Sequence, residues 1–380
     1  MQQYDYIIAG SGAAGLSLIT RMIARPYFRD KKILLVDREE KNKNDRTWCF
    51  WEKEEGFFQS IVFHEWEQLW FYGEGYEALN NISPYKYKLI RGIDFYQFCF
   101  GLIKQAANVT IRYGNIEHIV STDAGTWIEL EGEQIFAEYV FSSIIPQQLR
   151  EKKNEILLLQ HFKGWFIETP APAFDPATAT LMDFRVPQTN GTTFVYTMPL
   201  STTTALIEYT LFSPALLDAN EYDLVLNTYI RDKLKIPDFS IREEEFGVIP
   251  MTNRVFSSRL NNIIYLGTAG GQTKPSSGYT FRYIQQHSNR LVDSLENTGK
   301  PLLPALSGQK RFRLYDSTLL NILANNKMGG RKIFTDLFSN NKMTEVLQFL
   351  DNETTLSQEL RLVTVLPGRL FLRAAIQQFP

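Results

Sequence analysis

A glycine-rich turn directly after the first strand-like segment constrains the fold of this chain more than any other feature. Residues 4–9 form a short apolar segment, residues 10–15 have the sequence GSGAAG, and residues 16–23 carry apolar side chains at helical spacing. A second apolar segment, residues 33–36, ends in Asp37, which can accept hydrogen bonds from ribose hydroxyls. A strand, a GxGxxG turn, a helix and a strand ending in an acid are, in this order, typical of a βαβ unit that binds a dinucleotide.

The positions of this turn have separate physical roles. Gly10 permits the tight turn, Gly12 lets a pyrophosphate approach the backbone, and Gly15 lets the helix pack closely on the strand. Ala13 and Ala14 lie at the helix N-terminus, where free N–H groups and the positive end of the helix dipole face the phosphates. We therefore predict that these five residues contact a dinucleotide; a glycine-rich turn without a ligand is the alternative.

A second glycine-rich segment follows another buried, strand-like segment far later in the chain. Residues 263–267 have the sequence IIYLG, and glycines and a proline recur over residues 268–279. If this strand rejoins the parallel sheet, its glycines lie beside the first turn. A nucleotide-binding domain split by an insertion favours FAD, because this long cofactor needs a second wall near its flavin; NAD(P) as the tightly bound ligand is the alternative. The cofactor contacts predicted in this segment are Gly267, Gly270, Gly271, Pro275 and Gly278.

The segments between the two glycine-rich regions indicate an inserted sheet. Residues 48–72 are dense in aromatics, residues 161–212 are rich in strand-like stretches, and the pattern from residue 301 onwards is helical. We therefore predict an α/β fold in which an FAD-binding Rossmann-like domain carries an inserted antiparallel β-sheet domain for the substrate and a C-terminal helical tail. The predicted boundaries are residues 1–55, 85–160 and 255–300 for the FAD-binding domain, residues 56–84 and 161–254 for the substrate domain, and residues 301–380 for the tail.

Composition and charge exclude several classes of function. The 40 Lys and Arg residues nearly balance the 42 Asp and Glu residues, which argues against a broad basic surface for nucleic acid. Cys49 and Cys99 are too few for a disulfide framework, and the four scattered histidines offer no metal-binding spacing, so we expect neither. The longest early uncharged run, residues 6–20, is too short to span a bilayer, and we expect a cytoplasmic protein.

Six segments of the chain resemble the bacterial lycopene β-cyclases, a family of carotenoid-forming flavoproteins. The matching segments are residues 10–15 (GSGAAG), 46–50 (RTWCF), 160–165 (QHFKGW), 206–210 (LIEYT), 245–250 (EFGVIP) and 270–279. The first segment is shared by many flavoproteins, whereas the six in this order are specific. The resemblance extends over nearly the whole chain.

This resemblance implies a redox-neutral isomerisation in carotenoid biosynthesis. Members of the family close the two linear ends of lycopene into β-rings, giving γ-carotene and then β-carotene, with bound reduced FAD; NAD(P)H is a transient reductant that keeps the flavin reduced. Lycopene, or another acyclic carotenoid, is a hydrocarbon dissolved in the bilayer. We therefore expect peripheral contact with the inner face of the membrane, through an apolar rim and the basic, apolar tail near residues 369–373.

Glu208 is the residue that we predict to start this reaction. Protonation of an alkene needs a carboxylic acid that stays neutral until it is used, and burial among apolar groups raises the pKa of a carboxyl group. Strand alternation places Glu208 on one face with Leu206 and Phe212 and turns Tyr209 to the other face. The family's acidic motif also falls on Glu208. Many members have a second carboxylate where this chain has Tyr209, which argues against a proton shared by two acids; a solvated strand carboxylate is the alternative.

Further residues are predicted around the acid and the flavin. Glu245 is either a second acid or the final base, or it belongs to a solvated charge run with Glu243 and Glu244. Aromatic faces stabilise a cation by about 0.5–2 kcal/mol each, although they also form ordinary cores. The predicted pocket residues are Trp48, Phe50, Trp51 and Tyr279. By analogy with related two-domain flavoproteins, the predicted phosphate or flavin-ring partners are Arg46 and Arg91; exposed arginines are the alternative.

Two other functions stay open at this point. An FAD-dependent oxidoreductase acting on a prenyl lipid, such as a geranylgeranyl reductase or an aromatic hydroxylase, would not require Glu208 and would consume one reductant per product. A flavoprotein that carries or senses an apolar ligand without turnover is the other alternative. Many flavin hydroxylases have Gly-Asp before the second glycine-rich segment, whereas this chain has Gly267 followed by Thr268, which weakens the hydroxylase interpretation.

Overall fold

An eight-stranded sheet with parallel central strands forms the base of the fold. Its strands are β1 (Gln3–Ala9), β2 (Ile33–Asp37), β8 (Val109–Tyr113), β9 (Ile116–Thr122), β10 (Gly125–Leu130), β11 (Glu133–Ser142), β17 (Arg259–Leu260) and β18 (Ile263–Tyr265). They follow the order β17-β18-β11-β1-β2-β8, and the hairpin β9–β10 pairs with β11. The computed structural model describes residues 3–123, 125–145, 155–304 and 308–378. The predicted domain boundaries also include residues 1–2, 124, 146–154, 305–307 and 379–380, which lie outside the described residues.

The first βαβ unit forms as the sequence predicts. β1 pairs in parallel with β2, Ile7 lies opposite Leu34, and α1 (Ala13–Ile23) joins the two strands. The apolar face of α1 packs on this sheet together with α2 (Gly92–Ile103) and α4 (Phe281–Thr298), and they bury one continuous core. The returning strand β18 pairs in parallel with β11, which places the second glycine-rich segment at the edge where β1 and β2 end. The predicted α/β class is confirmed.

A seven-stranded sheet is inserted into this framework. Its strands are β5 (Gln68–Tyr72), β6 (Glu77–Asn81), β12 (Leu157–Glu168), β13 (Thr178–Asp183), β14 (Thr192–Pro199), β15 (Thr204–Ser213) and β16 (Ser240–Thr252). They follow the order β16-β12-β15-β14-β13-β5-β6, and all neighbours are antiparallel except β13 and β5. One face of the sheet packs on α3 (Ala219–Thr228), and the other face packs on the C-terminal helices.

A three-stranded sheet lies between the two larger ones. It contains β3 (Thr47–Glu52), β4 (His64–Trp66) and β7 (Lys86–Arg91) in the order β3-β7-β4. Because side chains alternate along a strand, β3 faces two different cores. Trp48 and Phe50 pack in the core of the nucleotide-binding sheet, whereas Cys49 and Trp51 pack in the core of the seven-stranded sheet.

Five C-terminal helices cover one face of the seven-stranded sheet, as expected for the predicted helical tail. They are α5 (Gln309–Ala324), α6 (Gly330–Ser339), α7 (Met343–Leu350), α8 (Leu356–Val363) and α9 (Gly368–Ile376). Buried side chains of these helices, including Phe334, Leu347 and Ala374, complete the core that also contains Trp51. A buried ion pair of 2.7 Å between Lys274 and Asp316 ties the second glycine-rich segment to α5. Within the described ranges, no helix is long and apolar enough to cross a membrane.

The strands divide the chain slightly differently from the predicted boundaries. β12 is one uninterrupted strand from Leu157, so residues 157–160 lie in the seven-stranded sheet, whereas the prediction assigns them to the nucleotide-binding domain. Residues 64–66, which the prediction assigns to the substrate domain, pair with β7 in the small sheet. Both differences arise because strand pairing, rather than local composition, decides where a segment belongs.

Candidate active site

The first glycine turn leaves an open space in front of α1. Gly10 has a φ of 105°, which favours glycine, and a Cβ on Gly15 would overlap the carbonyl oxygen of Gly10. This geometry matches the predicted tight turn and close helix packing. Among the described residues, no atom lies within 4 Å of a Cβ placed on Gly12, and no side chain caps the helix, which begins at Ala13. The N–H groups of the first helical turn are therefore available to a ligand.

Asp37 lies at the end of β2 beside this turn. Its Oδ2 accepts hydrogen bonds from Ser11 N at 2.6 Å and Ser11 Oγ at 2.8 Å, and Lys41 Nζ lies 3.3 Å from Oδ1. Burial raises the pKa of this carboxyl, but the hydrogen bonds from Ser11 and the charge of Lys41 outweigh burial and lower the pKa overall. Asp37 is therefore an ionised acceptor at the place where ribose hydroxyls are expected.

The second glycine-rich segment packs against the first. A Cβ on Gly267 would lie 3.1 Å from the Cβ of Ala14 in α1, so the two segments approach each other closely. A Cβ on Gly270 would overlap the carbonyl oxygen of Tyr265, and Gly271 follows in the left-handed conformation that ends this short 3₁₀ turn. Both predicted glycine-rich regions thus meet at one edge of the parallel sheet.

The segment around Gly278 carries polar atoms without a protein partner. Gly278 has a φ of 70°, follows the half-buried Pro275, and sits so close to Gln160 that a Cβ would overlap its side chain. Gln160 Oε1, Gln272 Oε1 and Ser277 Oγ are buried and lack a hydrogen-bond partner among the described residues. Unpaired buried polar atoms are rare in folded proteins. These atoms, in and beside the second glycine-rich segment, fit a long polar ligand such as a dinucleotide.

Arg46 and Arg91 lie at the start of β3 and the end of β7, where these two strands pair. Arg46 is largely exposed and forms an ion pair of 2.8 Å with Asp45. Arg91 forms two hydrogen bonds with Asp94, at 2.6 and 2.8 Å, and its guanidinium lies 3.9 Å from the centre of the Phe63 ring. Each arginine therefore has an acidic partner within three residues of it in the chain.

A pair of glutamates lies on the inserted sheet, on the face that packs towards the C-terminal helices. Glu208 of β15 and Glu245 of β16 both lie opposite Gly164 of the strand between them, β12, and Tyr196 of β14 extends the same row. Side chains in one cross-strand row point to the same face. The carboxyl groups of Glu208 and Glu245 are joined by a hydrogen bond. The paired acid thus comes from β16, two strands away across β12, and not from position 209, which corrects the argument against a shared proton.

Burial keeps a proton on this pair. Glu208 is half-buried by surface area, and protein groups surround its carboxyl. This protein environment raises the pKa of Glu208 well above the usual carboxyl range, and the charge of Glu245 raises it further. Burial also raises the pKa of Glu245, although hydrogen bonds from Thr47 and Glu208 and the charge of Arg46 offset part of this effect. Glu208 is therefore the member that holds the proton, and Glu245 is the member that accepts it.

The hydrogen bonds of the pair agree with this assignment. Thr47 Oγ1 donates to Glu245 Oε2 at 2.8 Å, and Thr210 Oγ1 donates to Glu208 Oε1 at 2.9 Å. Glu245 Oε1 is buried, and no hydroxyl, amide or basic group in the described ranges donates to it. A protonated Glu208 supplies the missing donor. Glu245 is only 5% exposed, whereas its sequence neighbours are exposed, so it does not belong to a solvated charge run.

Neutral groups surround the glutamate pair. Burial, and to a smaller extent the charge of Glu208, raises the pKa of the side chains of Cys49, Tyr87, Tyr196 and Tyr279. The Tyr279 ring lies edge-on to Trp51 with 4.5 Å between ring centres, and its hydroxyl lies 3.4 Å from that of Tyr196. The side chains around Glu208 are therefore neutral and mostly aromatic.

Two of the four predicted pocket aromatics lie away from the glutamate pair. Tyr279 is close enough to Glu208 for its pKa to be raised by that charge, and its ring contacts Trp51, whereas Trp48 and Phe50 point to the opposite face of β3 and pack on Phe281. This differs from the prediction that all four line one pocket, because alternate residues of a strand face opposite sides. Tyr209 points away from Glu208 and packs beside Tyr222, which confirms the predicted alternation of β15.

A cleft of about 590 Å³ lies on the other side of β3, away from the glutamates. It is bounded by α4, by the end of α1 and by residues 52–58, and Phe50 and Phe281 form part of its wall. The same two phenylalanines also border a much smaller recess that reaches Cys49, Trp51 and Tyr279. Phe50 therefore belongs to the wall of this cleft, whereas Trp48 packs on Phe281.

The sequence patterns did not point to several residues that the structure brings to the site. These are Ser11, Thr47, Tyr87, Gln160, Gly164, Tyr196 and Ser277. Tyr196 lies in a predicted strand, but the cross-strand register that places it beside Glu208 is not contained in any local pattern. The glycine in the middle of an apolar strand, Gly164, was the one available signal, since glycine there often marks a close approach.

The architecture and the two glycine-rich segments define the class of the protein as an FAD-binding Rossmann-like fold with an inserted seven-stranded sheet. A flavoprotein/dehydrogenase from Cytophaga hutchinsonii superposes with a TM-score of 0.64 at 12% identity, over 100% of both chains. A geranylgeranyl bacteriochlorophyll reductase-like protein from Thermoplasma acidophilum superposes with a TM-score of 0.60 at 12% identity, over 100% of this chain and 97% of that one.

Sequence comparison identifies the family. The family model described as "Lycopene cyclase protein" matches residues 5–376. The lycopene beta-cyclase of Pseudescherichia vulneris is 23% identical over 331 residues, which cover 78% of this chain and 76% of that protein. The chain belongs to the lycopene cyclase family, whose members act in carotenoid cyclisation, and the resemblance noted in the sequence is confirmed.

Proposed function

We propose that this chain is an isomerase that closes the linear ends of lycopene into β-rings, giving γ-carotene and then β-carotene without net redox change. The observation that carries the proposal is the buried pair of Glu208 and Glu245 in a chain of the lycopene cyclase family. A neutral carboxylic acid next to aromatic faces is what acid-initiated cyclisation of a polyene requires.

Glu208 is the proposed general acid. It donates its proton to C2 of the terminal double bond, which leaves a tertiary cation at C1. The C5=C6 double bond then attacks C1, the C1–C6 bond forms, and the cation moves to C5. Loss of the proton from C6 restores a double bond between C5 and C6. One proton enters and one leaves, so the product is an isomer of the substrate.

Glu245 is the proposed final base. When Glu208 has given up its proton, two carboxylates face each other across Gly164 in a buried site. Like charges in such a site repel each other strongly, and recovery of one proton relieves this repulsion. The pair can therefore take up the proton lost from C6 and return to its starting state, which makes one pair sufficient for both proton transfers.

Aromatic side chains are proposed to hold the cation away from water. Trp51 and Tyr279 lie beside the glutamate pair, and the nearby Tyr87 and Tyr196 are neutral. An aromatic face stabilises a desolvated cation by up to about 2 kcal/mol. None of these groups is a strong nucleophile in its neutral form, so they can contact a carbocation without capturing it.

FAD is the proposed cofactor, because the space beyond Gly12, the ionised Asp37 and the unpaired polar atoms near Gly278 fit a dinucleotide. The residues proposed to hold it are Gly10, Gly12, Ala13, Ala14, Gly15, Asp37, Gly267, Gly270, Gly271, Pro275 and Gly278, with Arg46 and Arg91 at the small sheet. When bound in its reduced form, FAD would supply an anionic, electron-rich ring system that stabilises a carbocation. NAD(P)H is the proposed transient reductant.

A membrane surface is the proposed source of the substrate. Leu372 and Ile376 are exposed on α9, next to Arg369 and Arg373, while the opposite face of this helix packs on the core that contains Trp51. An amphipathic helix with exposed leucines and arginines suits the headgroup region of a bilayer. This helix would place the seven-stranded sheet and its C-terminal cover close to a membrane-dissolved polyene.

Replacing Leu372 and Ile376 together by Asp is expected to abolish binding to liposomes, because apolar insertion is lost. Binding of the unchanged protein is expected to depend little on salt, since its near-neutral charge leaves apolar contact dominant. Cosedimentation with liposomes measures both effects. Leu224→Asp, at a leucine of α3 that is 66% exposed, is the matched control and is expected to bind normally. Pelleting that disappears at high salt, or that survives the double change, would contradict this docking face.

An FAD-dependent oxidoreductase acting on a prenyl lipid is the second candidate, favoured by the fold shared with the geranylgeranyl bacteriochlorophyll reductase-like protein. Expression in a bacterial host that accumulates lycopene separates the two. The proposed function predicts β-carotene of the same mass as lycopene. Unchanged lycopene, with FAD-loaded protein present, would overturn it, and a product that gains hydrogen or oxygen would support the second candidate.

A further inference from the structure

Gly164 stands in the middle of the long central strand β12, where glycine is normally unfavourable. Its backbone is not in the left-handed region, so conformational freedom does not explain it. We propose that Gly164 is a positioning residue, whose missing side chain lets the carboxyl groups of Glu208 and Glu245 meet above the sheet. This inference rests on the proposed function of that pair and adds a residue to it.

The register leaves only Gly164 between the two acids. Glu208 and Glu245 occupy strands on either side of β12, and their Cα atoms are therefore separated by two strand spacings, about 10 Å. The carboxyl groups of two glutamates on strands this far apart can contact each other only if at least one of the two side chains extends across the residue between them. Any side chain at position 164 would stand in that path.

The packing around Gly164 shows which of the two glutamate side chains extends across it. A Cβ at this position would lie 2.9 Å from Glu245 Cγ and 3.1 Å from Glu245 Oε1. On the other side it would lie 3.0 Å from Leu206 Cδ1. All three distances are shorter than ordinary carbon contacts of about 3.5–4.0 Å. Glu245 would have to move as a whole, because the contact involves its Cγ near the backbone, and this movement takes its carboxyl away from Glu208.

The other groups that face Glu208 and Glu245 are expected to keep their positions when residue 164 is changed. From the neighbouring elements these are Asp45, Arg46, Thr47, Cys49, Tyr87, Tyr196, Thr210 and Tyr279. Arg46, whose charge lowers the pKa of Glu245, directly precedes β3, whereas Gly164 lies in β12. A change confined to position 164 therefore alters the distance within the pair more than it alters the pair's surroundings.

In Gly164→Ala, we expect the pair to lose its last proton at a pH lower by at least about one unit. Separating the two carboxyl groups weakens the repulsion between their charges, and this repulsion is what keeps the last proton bound to a higher pH. The measurement is infrared titration of the carboxylic C=O stretch in the FAD-loaded protein, with the Glu208→Gln spectrum subtracted. It requires no turnover, so failure of the proposed cyclase activity and failure of this inference give different results. In the cyclisation assay, the alkaline limb of the rate profile is expected to move in the same direction.

A double-mutant cycle separates positioning from general damage. In a Glu245→Gln background, adding Gly164→Ala is expected to leave the titration of Glu208 unchanged, since the pair no longer exists. If Gly164→Ala alone does not fold, Gly164→Ala/Leu206→Val removes one crowded neighbour and is expected to show the same shift. Glu245→Asp, which keeps Gly164 but shortens the reach, is expected to lower the titration pH as well. A folded Gly164→Ala protein, or a Glu245→Asp protein, that titrates like the unchanged chain would overturn the proposal.

Discussion

Glu208→Gln is expected to bind FAD normally but to cyclise lycopene about 10³-fold more slowly, in the range found when a general acid is removed. Glutamine keeps the size of the side chain and the contact with Thr210, but it has no acidic proton. Since the buried, neutral carboxylic acid is the proton source, the fold and the cofactor site remain while the first chemical step is lost. Product analysis by chromatography and the flavin absorbance of the purified protein measure the two properties separately.

The matched control for this change is Glu244→Gln. Glu244 precedes Glu245 on β16 but is exposed and pairs with Lys163 at 3.0 Å, so its replacement is expected to leave cyclisation unchanged. Lys163 keeps its second partner, Asp223, so the loss of this ion pair is expected to have little effect on stability. A Glu208→Gln protein that cyclises at a near-normal rate would show that Glu208 is not the acid.

The second large effect is expected at the glycine turn. Gly15→Ala is expected to destabilise the fold by about 1–3 kcal/mol, because its Cβ would overlap the backbone oxygen of Gly10 and push α1 off the sheet. Gly12→Ala has no such contact and is expected to fold normally, but to bind FAD at least about tenfold more weakly, since the new methyl group enters the ligand space. Thermal unfolding measures the loss of stability in Gly15→Ala, and titration with FAD measures the loss of cofactor affinity in Gly12→Ala.

Gly101→Ala provides the control for both glycine variants. Gly101 lies in α2 with open space around it, so alanine there is expected to leave FAD binding unchanged and to stabilise the helix by about 0.5–1 kcal/mol. Unchanged unfolding of Gly15→Ala would contradict the close packing of α1 on the sheet. Unchanged FAD affinity of Gly12→Ala would contradict the placement of the cofactor beyond this turn.

Local patterns in the sequence predicted the parts of the protein that depend on neighbouring residues. The GSGAAG turn, the helix after it and the strand ending in Asp37 form one continuous βαβ unit, and all appear as expected. Alternation along β15 correctly separated Glu208 from Tyr209, because the period of a strand is fixed by its backbone. Both features are set by fewer than forty consecutive residues.

Features that depend on strand pairing could not be predicted in this way. The absence of a second acid at position 209 argued against a shared proton, yet Glu245 reaches Glu208 across β12 because three strands align in one register. The same limitation applies to the pocket aromatics. Residues 48–51 are all aromatic or thiol-bearing, and only the packing of β3 between two cores shows that Trp51 lies in the core of the seven-stranded sheet while Trp48 does not. Tertiary register, rather than residue type, decides both outcomes.

The central claim is that an exchangeable proton held by Glu208 starts a cyclisation without net redox change. The measurement that tests it most directly is conversion of lycopene by the FAD-loaded protein in D₂O, with mass analysis of the product and a count of the reductant consumed. Because a carboxyl proton exchanges with solvent between turnovers, we expect one deuterium for each new ring, at the carbon derived from C2, and no reductant consumed in proportion to product. Rings without deuterium, or one reductant consumed per ring, would contradict it.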